Sequence, residues 1–418
     1  MHIKNIVRRP ILPNLHLADT FSALRHDNYR LWFFGMLISV VGTWMQNTAQ
    51  GYLVYDLTKS PAYLGYVGFV AGIPTWLFTL YGGIITDRVN RRTLLIITQS
   101  LMMVLAFVLA GLVFSGAVQP WHIVLLAFLL GTVNAFDMPA RQAFVNELVP
   151  HEDLTNAIAL NSTLFNAALI VGPAVSGFTY ALVGPAWCFT INGITFIGVL
   201  AALFLMKLKP FVRTPHPNRV WVDLKEGFRY IRSDEVTIIL LIGLVMFGVF
   251  GGGILTLLPA WAVNILGGDV KTNGWLYSFR GIGAVISGLM IAALGRRNVR
   301  GRIWTMGSFL LPTAMLVFAM VRTLPVSLLL MILIGWGFLS ALNTSNAMIQ
   351  TRSPDHLRGR VMGVFTLMLM GGLPLGSILA GSLADRFGEP ATVILSALVL
   401  AAFAAVVFLW RPTLRRVG

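Results

Sequence analysis

Apolar stretches interrupt this chain at nearly regular intervals, and they limit its fold more than anything else in it. Twelve runs are long enough to cross a bilayer, for which a helix needs about 20 residues. They cover 30–56, 61–86, 93–115, 121–144, 155–183, 186–207, 236–265, 272–294, 303–321, 325–349, 359–384 and 390–410. Short separators hold turn formers: Lys59-Ser60-Pro61, Ser115-Gly116, Gly184-Pro185, Gly267-Gly268-Asp269 and Gly388-Glu389-Pro390. Backbone polar groups inside lipid must bond within their own segment, so runs of this length become helices. Mean hydropathy is +0.78, and 11% of residues are charged, against about 25% in soluble domains. The pattern predicts an all-α polytopic membrane protein with twelve transmembrane helices.

The net charge of +15 reports topology and requires no nucleic-acid partner. Of the 31 Lys and Arg residues, all but Lys59, Lys271, Arg280, Arg322 and Arg386 fall in the two terminal segments, the central loop and alternate turns. The positive-inside rule then puts both termini in the cytoplasm. Cys188 is the single cysteine, which excludes an intrachain disulfide and a cysteine-based zinc site. The first 30 residues are polar and basic, without the apolar core of a cleavable signal peptide. The expected organisation is an N-terminal arm over 1–29, a six-helix bundle over 30–207, a linker over 208–235, a second bundle over 236–410 and a tail over 411–418. Within the linker Trp221, Leu224, Phe228 and Ile231 recur at helical spacing between charges, which predicts a short amphipathic helix on the cytoplasmic membrane surface.

The halves repeat. A shift of 205 residues carries Gly83 to Gly288, Asn90 to Gly295, Arg91 to Arg296 and Arg92 to Arg297. A shift of 204 carries Gly131 to Gly335, Pro150 to Pro354, Gly172 to Gly376, Gly177 to Gly381 and Gly184 to Gly388. A parallel duplication of six-helix units is the organisation of a rocking transporter with its substrate site between the halves near the midplane.

The turn after the second run reads Gly83-Ile84-Ile85-Thr86-Asp87-Arg88-Val89-Asn90-Arg91-Arg92. With two six-helix halves and a basic central loop, it resembles the major facilitator superfamily, whose turn reads Gly-x-Leu-Ala-Asp-Arg-x-Gly-Arg-Arg/Lys. Gly83, Asp87, Arg88, Arg91 and Arg92 match; Ile85, Thr86 and Asn90 depart, and the second copy has Ala292 in place of the acid. The resemblance implies the major facilitator fold of two pseudo-symmetric bundles. It also gives Asp87 the role of a conformational latch against the cytoplasmic start of the eleventh helix, here flanked by Arg358 and Arg360. Gly172-Pro173-Ala174-Val175-Ser176-Gly177 resembles the Gly-Pro-x-x-Gly-Gly motif of drug–proton antiporters. The run from Gly42-Thr43-Trp44-Met45-Gln46 to Pro61 is similar to the bacterial branch of enterobactin-type siderophore exporters and macrolide efflux proteins. A second copy of the turn motif, Gly381 to Gly388, falls on the outer side and is expected to act as an outer gate or turn cap.

Charge inside a span is costly, about 2.5–3.5 kcal/mol at its centre, so the few such residues carry information. Asp137 stands four residues before Arg141 and faces it on a helix; the pair is either a proton carrier or an ion pair near the cytoplasmic gate. Arg280 is an attractor for an anionic substrate group, a partner for an acid during the transport cycle, or a snorkelling side chain. Thr43, Gln46, Asn47 and Gln50 share one face of the first run. By the resemblance, the first and fifth helices line the cavity. Gln46, Gln50, Asn161 and Asn166, with Asn343 and Arg280, are therefore the expected substrate contacts, with interhelical hydrogen bonding as the alternative. Gly172, Pro173, Gly177 and Gly376 are expected helix-packing positions.

No catalytic set, metal-ligand spacing or Gly-x-x-x-x-Gly-Lys-Ser/Thr motif is present, so neither an enzyme nor a cofactor is expected. The reading is a monomeric bacterial inner-membrane exporter of a bulky amphiphilic small molecule, siderophore- or drug-like, that alternates access in exchange for protons. A proton-independent facilitator or importer, or a transport-inactive receptor or scaffold, stays open.

Overall fold

The computed structural model describes residues 21–208, 220–294 and 299–411, without the side chains of Leu80, Ile84, Asp87 and 220–225. The first half holds α1 (Asp27–Thr58), α2 (Pro61–Arg88), α3 (Arg91–Phe114), α4 (Pro120–Leu148), α5 (Leu154–Val183) and α6 (Pro185–Leu205). The linker contributes α7 (Val220–Ser233). The second half holds α8 (Glu235–Ile265), followed by α9 (Val270–Leu294), α10 (Arg300–Met320), α11 (Leu324–Arg352), α12 (Asp355–Phe387) and α13 (Glu389–Trp410).

Among the described residues, eleven helices are long and apolar enough to cross a membrane. The twelfth, α1, is 32 residues long, but its Thr43, Gln46, Asn47, Thr48 and Gln50 dilute its hydropathy. A second departure from the sequence reading is α8. It is not one regular helix: the wide π turns Phe247–Gly251 and Trp261–Ile265 interrupt it. Such turns commonly mark functional positions.

Local chemistry sets the helix ends. We call the end of the molecule carrying the arginine-rich turns the basic end, and the opposite one the far end. Proline occupies one of the first two positions of α2, α4, α6, α11 and α13. All five helices start at the far end, where the missing N–H would have no intrahelical partner. The repeat-related Gly184 and Gly388 both take a positive φ, 93° and 83°, before α6 and α13. A side chain would be strained there.

The halves pack alike. α2 lies on α4 and α1 on α5, as α9 lies on α11 and α8 on α12. Gly131 lets α4 reach the carbonyl of Ala71 on α2, and Gly335 lets α11 reach the carbonyl of Arg280 on α9. Asp234, just before α8, takes a two-pronged contact from Arg352 at the end of α11, at 2.7 and 3.1 Å. The guanidinium holds the Asp234 carboxyl below the usual carboxylate range. The linker helix appears where the spacing predicts. Its inner face is taken up by the second half: Gly227 packs on the backbone of Arg360, Glu226 pairs with Arg360, and Tyr230 donates to the Arg352 carbonyl. Trp221 and Leu224 are among the side chains outside the described residues.

The halves meet through α2 against α12 and α5 against α9, and the contacts run along the far half of the molecule. A Cβ on Gly65 would fall 2.5 Å from the Ser377 carbonyl oxygen, and one on Gly274 the same distance from the Pro173 carbonyl oxygen. Gly72 faces Pro374, and Gly177 faces the Lys271 Cα at 3.0 Å. Ser60 donates to Asp385 at 2.8 Å. Tyr55 on α1 donates to Asn264 at 2.8 Å, and Asn264 donates in turn to Glu389 at 2.7 Å. Toward the basic end this contact stops: a Cβ on Gly83, Gly288, Gly359 or Gly363 would meet nothing within 4 Å. The molecule is closed at the far end and parted at the basic end.

If the Tyr55–Asn264–Glu389 chain holds the far end shut, Asn264→Leu loosens it. Spin labels at the exposed far-end positions Ala117 and Thr323 should then gain a longer-distance population in double electron–electron resonance. An unchanged distribution would mean that the glycine contacts close the far end alone.

Candidate functional site

Between the halves, next to the closed end, lies a cavity of about 280 Å³. Its walls come from four helices: Trp44, Asn47, Thr48 and Gln50 on α1, Leu64, Val67 and Gly68 on α2, Leu255, Thr256 and Pro259 on α8, and Tyr277 on α9. It is mostly apolar, with a few amide and hydroxyl groups placed on opposite sides, the usual make-up of a small-molecule site. The Tyr277 hydroxyl donates to the Leu255 carbonyl at 2.7 Å, which fixes its ring. Thr256 donates to Ser377 at 3.0 Å, so the wall is tied to the α2–α12 contact that closes the far end.

The expected polar face of α1 divides. Asn47 and Gln50 line the cavity, but Gln46 does not. It is 5% exposed and accepts a 2.7 Å hydrogen bond from Asn192 on α6. Gln46 thus joins helices within the first half, and Gly42 makes room for that contact, since a Cβ would fall 2.7 Å from the Asn192 side-chain oxygen. Asn161, Asn166 and Asn343 are half-buried, outside the cavity wall, and without a side-chain hydrogen bond among the described residues. The sequence reading did not single out Thr256 or Tyr277, nor Asn264 and Glu389 at the far-end closure. The one signal available for Asn264 was an amide near the end of an otherwise apolar run.

Arg280 follows Tyr277 by one turn on α9 and stands beyond the residues that wall the cavity. It is 7% exposed, so it is enclosed by protein and does not snorkel to a headgroup. Its guanidinium lies 5.6 Å from the ring centre of Phe338 on α11.

Asp137 lies elsewhere, wholly buried inside the first half. One carboxylate oxygen accepts from Thr98 at 2.7 Å and from Gln99 at 2.8 Å, both on α3. The other pairs with Arg141. All four residues belong to α3 and α4, and none reaches the cavity wall or the second half.

The turn after α2 braces its own bundle. Asn90 caps α3 by accepting from the Thr93 N–H at 3.3 Å. Arg91 pairs with Glu147 at the end of α4 at 2.6 Å, and Arg92 donates to the Phe204 carbonyl on α6 at 3.0 Å. Arg88 is exposed. The Asp87 side chain lies outside the described residues, as do Gly295, Arg296 and Arg297 of the repeated turn. A Cβ on Gly83 would meet no neighbour, whereas Gly82 brings α2 onto the Ala135 carbonyl of α4. At the start of α12, Arg358 pairs with Asp355, and Arg360 with Glu226.

The expected packing positions Gly172, Pro173, Gly177 and Gly376 lie where helices approach closely. Gly172 lets α5 approach α1, where a Cβ would fall 2.5 Å from the Trp44 Cβ. Gly177 and Pro173 face α9, and Gly376 faces the Val249 and Gly248 carbonyls on α8.

The chain matches the family described as transmembrane secretion effectors over residues 18–416. It is 26% identical over 365 residues to the staphyloferrin A transporter of Staphylococcus aureus, covering 86% of this chain and 90% of that one. It is 27% identical over 396 residues to the multidrug efflux pump Tap of Mycolicibacterium fortuitum, covering 92% and 96%. To the enterobactin exporter EntS of Salmonella typhimurium it is 26% identical over 425 residues, covering 98% and 97%. Among solved structures, an inward-facing bacterial homologue of the human lysosomal transporter Spinster superposes with a TM-score of 0.75 at 14% identity, covering 93% of this chain and 98% of that one. The nucleoside transporter NupG superposes with a TM-score of 0.70 at 15% identity, covering 92% and 98%.

The arrangement around Asp137 sets an order of stabilities. Asp137→Ala removes the charge facing Arg141 and the acceptor for Thr98 and Gln99; breaking a buried pair in this way costs about 3–5 kcal/mol. Asp137→Asn keeps the acceptor. Melting in detergent should therefore fall in the order wild type, Asn, Ala. Equal melting temperatures for all three would remove the structural role.

Proposed function

The chain belongs to the transmembrane secretion effectors of the major facilitator type, and from that premise we propose that it is a secondary active exporter of a bulky, amphiphilic, siderophore- or drug-like molecule. The observation that carries this reading is the cavity between the halves, bounded at the far end by helix contact that the glycines of the basic end do not make. A compartment open to one side is half of an alternating-access cycle. The other half follows if the bundles rock about the cavity, so that the far end parts and the basic end closes.

In this reading the basic end is cytoplasmic, and the molecule as described accepts substrate from the cell interior. Gln50, Asn47, Thr256 and Tyr277 contact the bound molecule, and Asn161, Asn166 and Asn343 border its path from the basic end. Gly83, Gly288, Gly359 and Gly363 become contact points when that end closes, as Gly65 and Gly274 are at the far end. Asp87 and Arg88 then latch α2 to the start of α12, drawing Arg358 and Arg360 from their present partners. The chain has no nucleotide-binding loop, so an ion gradient supplies the energy, and we assign inward proton flow to it. The protein works as a monomer in a bacterial inner membrane. The exporters among the relatives support the direction of transport.

Inverted membrane vesicles test this reading. With an inside-acid gradient, vesicles containing the protein should accumulate an enterobactin-type catecholate or an amphiphilic dye above control vesicles, and a protonophore should abolish the difference. Accumulation unaffected by the protonophore would exclude proton coupling. Absence of accumulation across both compound classes would overturn the export reading.

A further inference from the structure

The second half carries a charge that no acidic side chain among the described residues balances. Arg280 lies ten residues into α9, about 15 Å from the start of that helix at 1.5 Å per residue. It is 7% exposed. Among the described residues it meets neither an acidic side chain nor a hydrogen-bond acceptor, and its guanidinium stands over the Phe338 ring. A cation taken out of water without a partner costs several kcal/mol, and proteins keep one at such a depth chiefly where it has work to do. The two acids buried among the described residues are occupied, Asp137 by Arg141 in the other half and Glu389 by Asn264 at the far end.

The surroundings present this guanidinium deliberately. Gly335 closes α11 onto the Arg280 carbonyl, and Phe338 stands one turn beyond Gly335, which brings its ring to the guanidinium. An aromatic ring covers one face of a planar cation and leaves the N–H donors along its edge for an in-plane acceptor. The duplicated contact in the first half, Gly131 against the Ala71 carbonyl, has an alanine where the second half has arginine. The backbone frame is shared and does not require the charge. Asn273, Tyr277 and Arg280 follow at i, i+4 and i+7 and so share one face of α9. Tyr277 lines the cavity, and Asn273 is fully buried with both amide atoms unpartnered.

We propose that Arg280 is the anion-binding residue of the compartment, and that the transported molecule carries a carboxylate that lies in the guanidinium plane. This rests on the cavity being the substrate compartment. The carboxylate accepts two N–H donors from Arg280, while the apolar remainder of the molecule fills the space walled by Tyr277, Leu255 and Pro259. Anchoring to one half alone lets the ligand travel with that half as the bundles rock.

The test uses the full chain in phosphatidylcholine nanodiscs and two probes of matched shape, naphthylacetate and its neutral amide. Wild type should bind the carboxylate about tenfold more tightly than the amide, the worth of one good charge-assisted contact. Arg280→Gln should bring that ratio to about one while amide affinity stays within about twofold. Arg280→Lys, which keeps the charge without the fork, guards against misfolding of the first variant and should give an intermediate ratio. An unchanged ratio in both variants, a parallel loss for both probes, or no binding of either probe to wild type would overturn the proposal. A carboxylate preference that disappears when phosphatidylglycerol is added would assign Arg280 to lipid phosphate and overturn it as well. A carboxylate preference in a protein that fails the vesicle assay would keep this site and discard export.

Discussion

Where α2 crosses α12 and α5 crosses α9, almost nothing separates one backbone from the other. Gly65 and Gly68 meet Ser377, Gly72 meets Pro374, and Gly274 meets the Pro173 carbonyl. Apolar side chains gain nothing from leaving lipid for another apolar surface, so helices in a membrane associate through close van der Waals packing at small residues and through interhelical hydrogen bonds. Between the two halves, both are concentrated in the far half among the described residues. The cavity lies where that contact ends, and the basic end is parted because its glycines have no opposing surface. Closure, compartment and opening thus follow from where the small residues have partners.

Such a contact suits a surface that must come apart. It places few large side chains across the divide, so parting exposes little that lipid or water would resist. The polar additions, Ser60 to Asp385 and Tyr55 through Asn264 to Glu389, lie at the far end and join the halves by hydrogen bonds, not by ion pairs. The strong ion pairs stay inside one half or in its linker: Asp137 with Arg141, Arg91 with Glu147, and Asp234 with Arg352. Each half is stiffened by charge, and the boundary between them is held by contacts that exchange more readily.

Much of this was legible in the sequence. The spans, the turns, the linker helix and the duplication all have local signatures, because helix length, proline position and glycine spacing are set within a segment. The site was less legible. Thr43, Gln46, Asn47 and Gln50 share a face at helical spacing, but the face is broad: Gln46 and Asn47 differ by about 100° around the axis, enough to send one to α6 and the other to the cavity. Glu389 read as a turn residue between Gly388 and Pro390, because its partner Asn264 is 125 positions away. Gly83 matched a motif yet has no neighbour in this conformation, whereas Gly82, outside the motif, has one. Arg280 was visible as a charge in an apolar run; that no acid among the described residues answers it required the fold.

The most direct measurement of the central claim, a compartment closed at the far end and open at the cytoplasmic basic end, is thiol accessibility from each side of the membrane. The native Cys188 is buried, so a cysteine at Asn161 reports alone. A membrane-impermeant maleimide should modify Asn161→Cys rapidly in inverted vesicles, which expose the cytoplasmic face, and slowly in right-side-out vesicles. Faster modification in right-side-out vesicles would contradict the account.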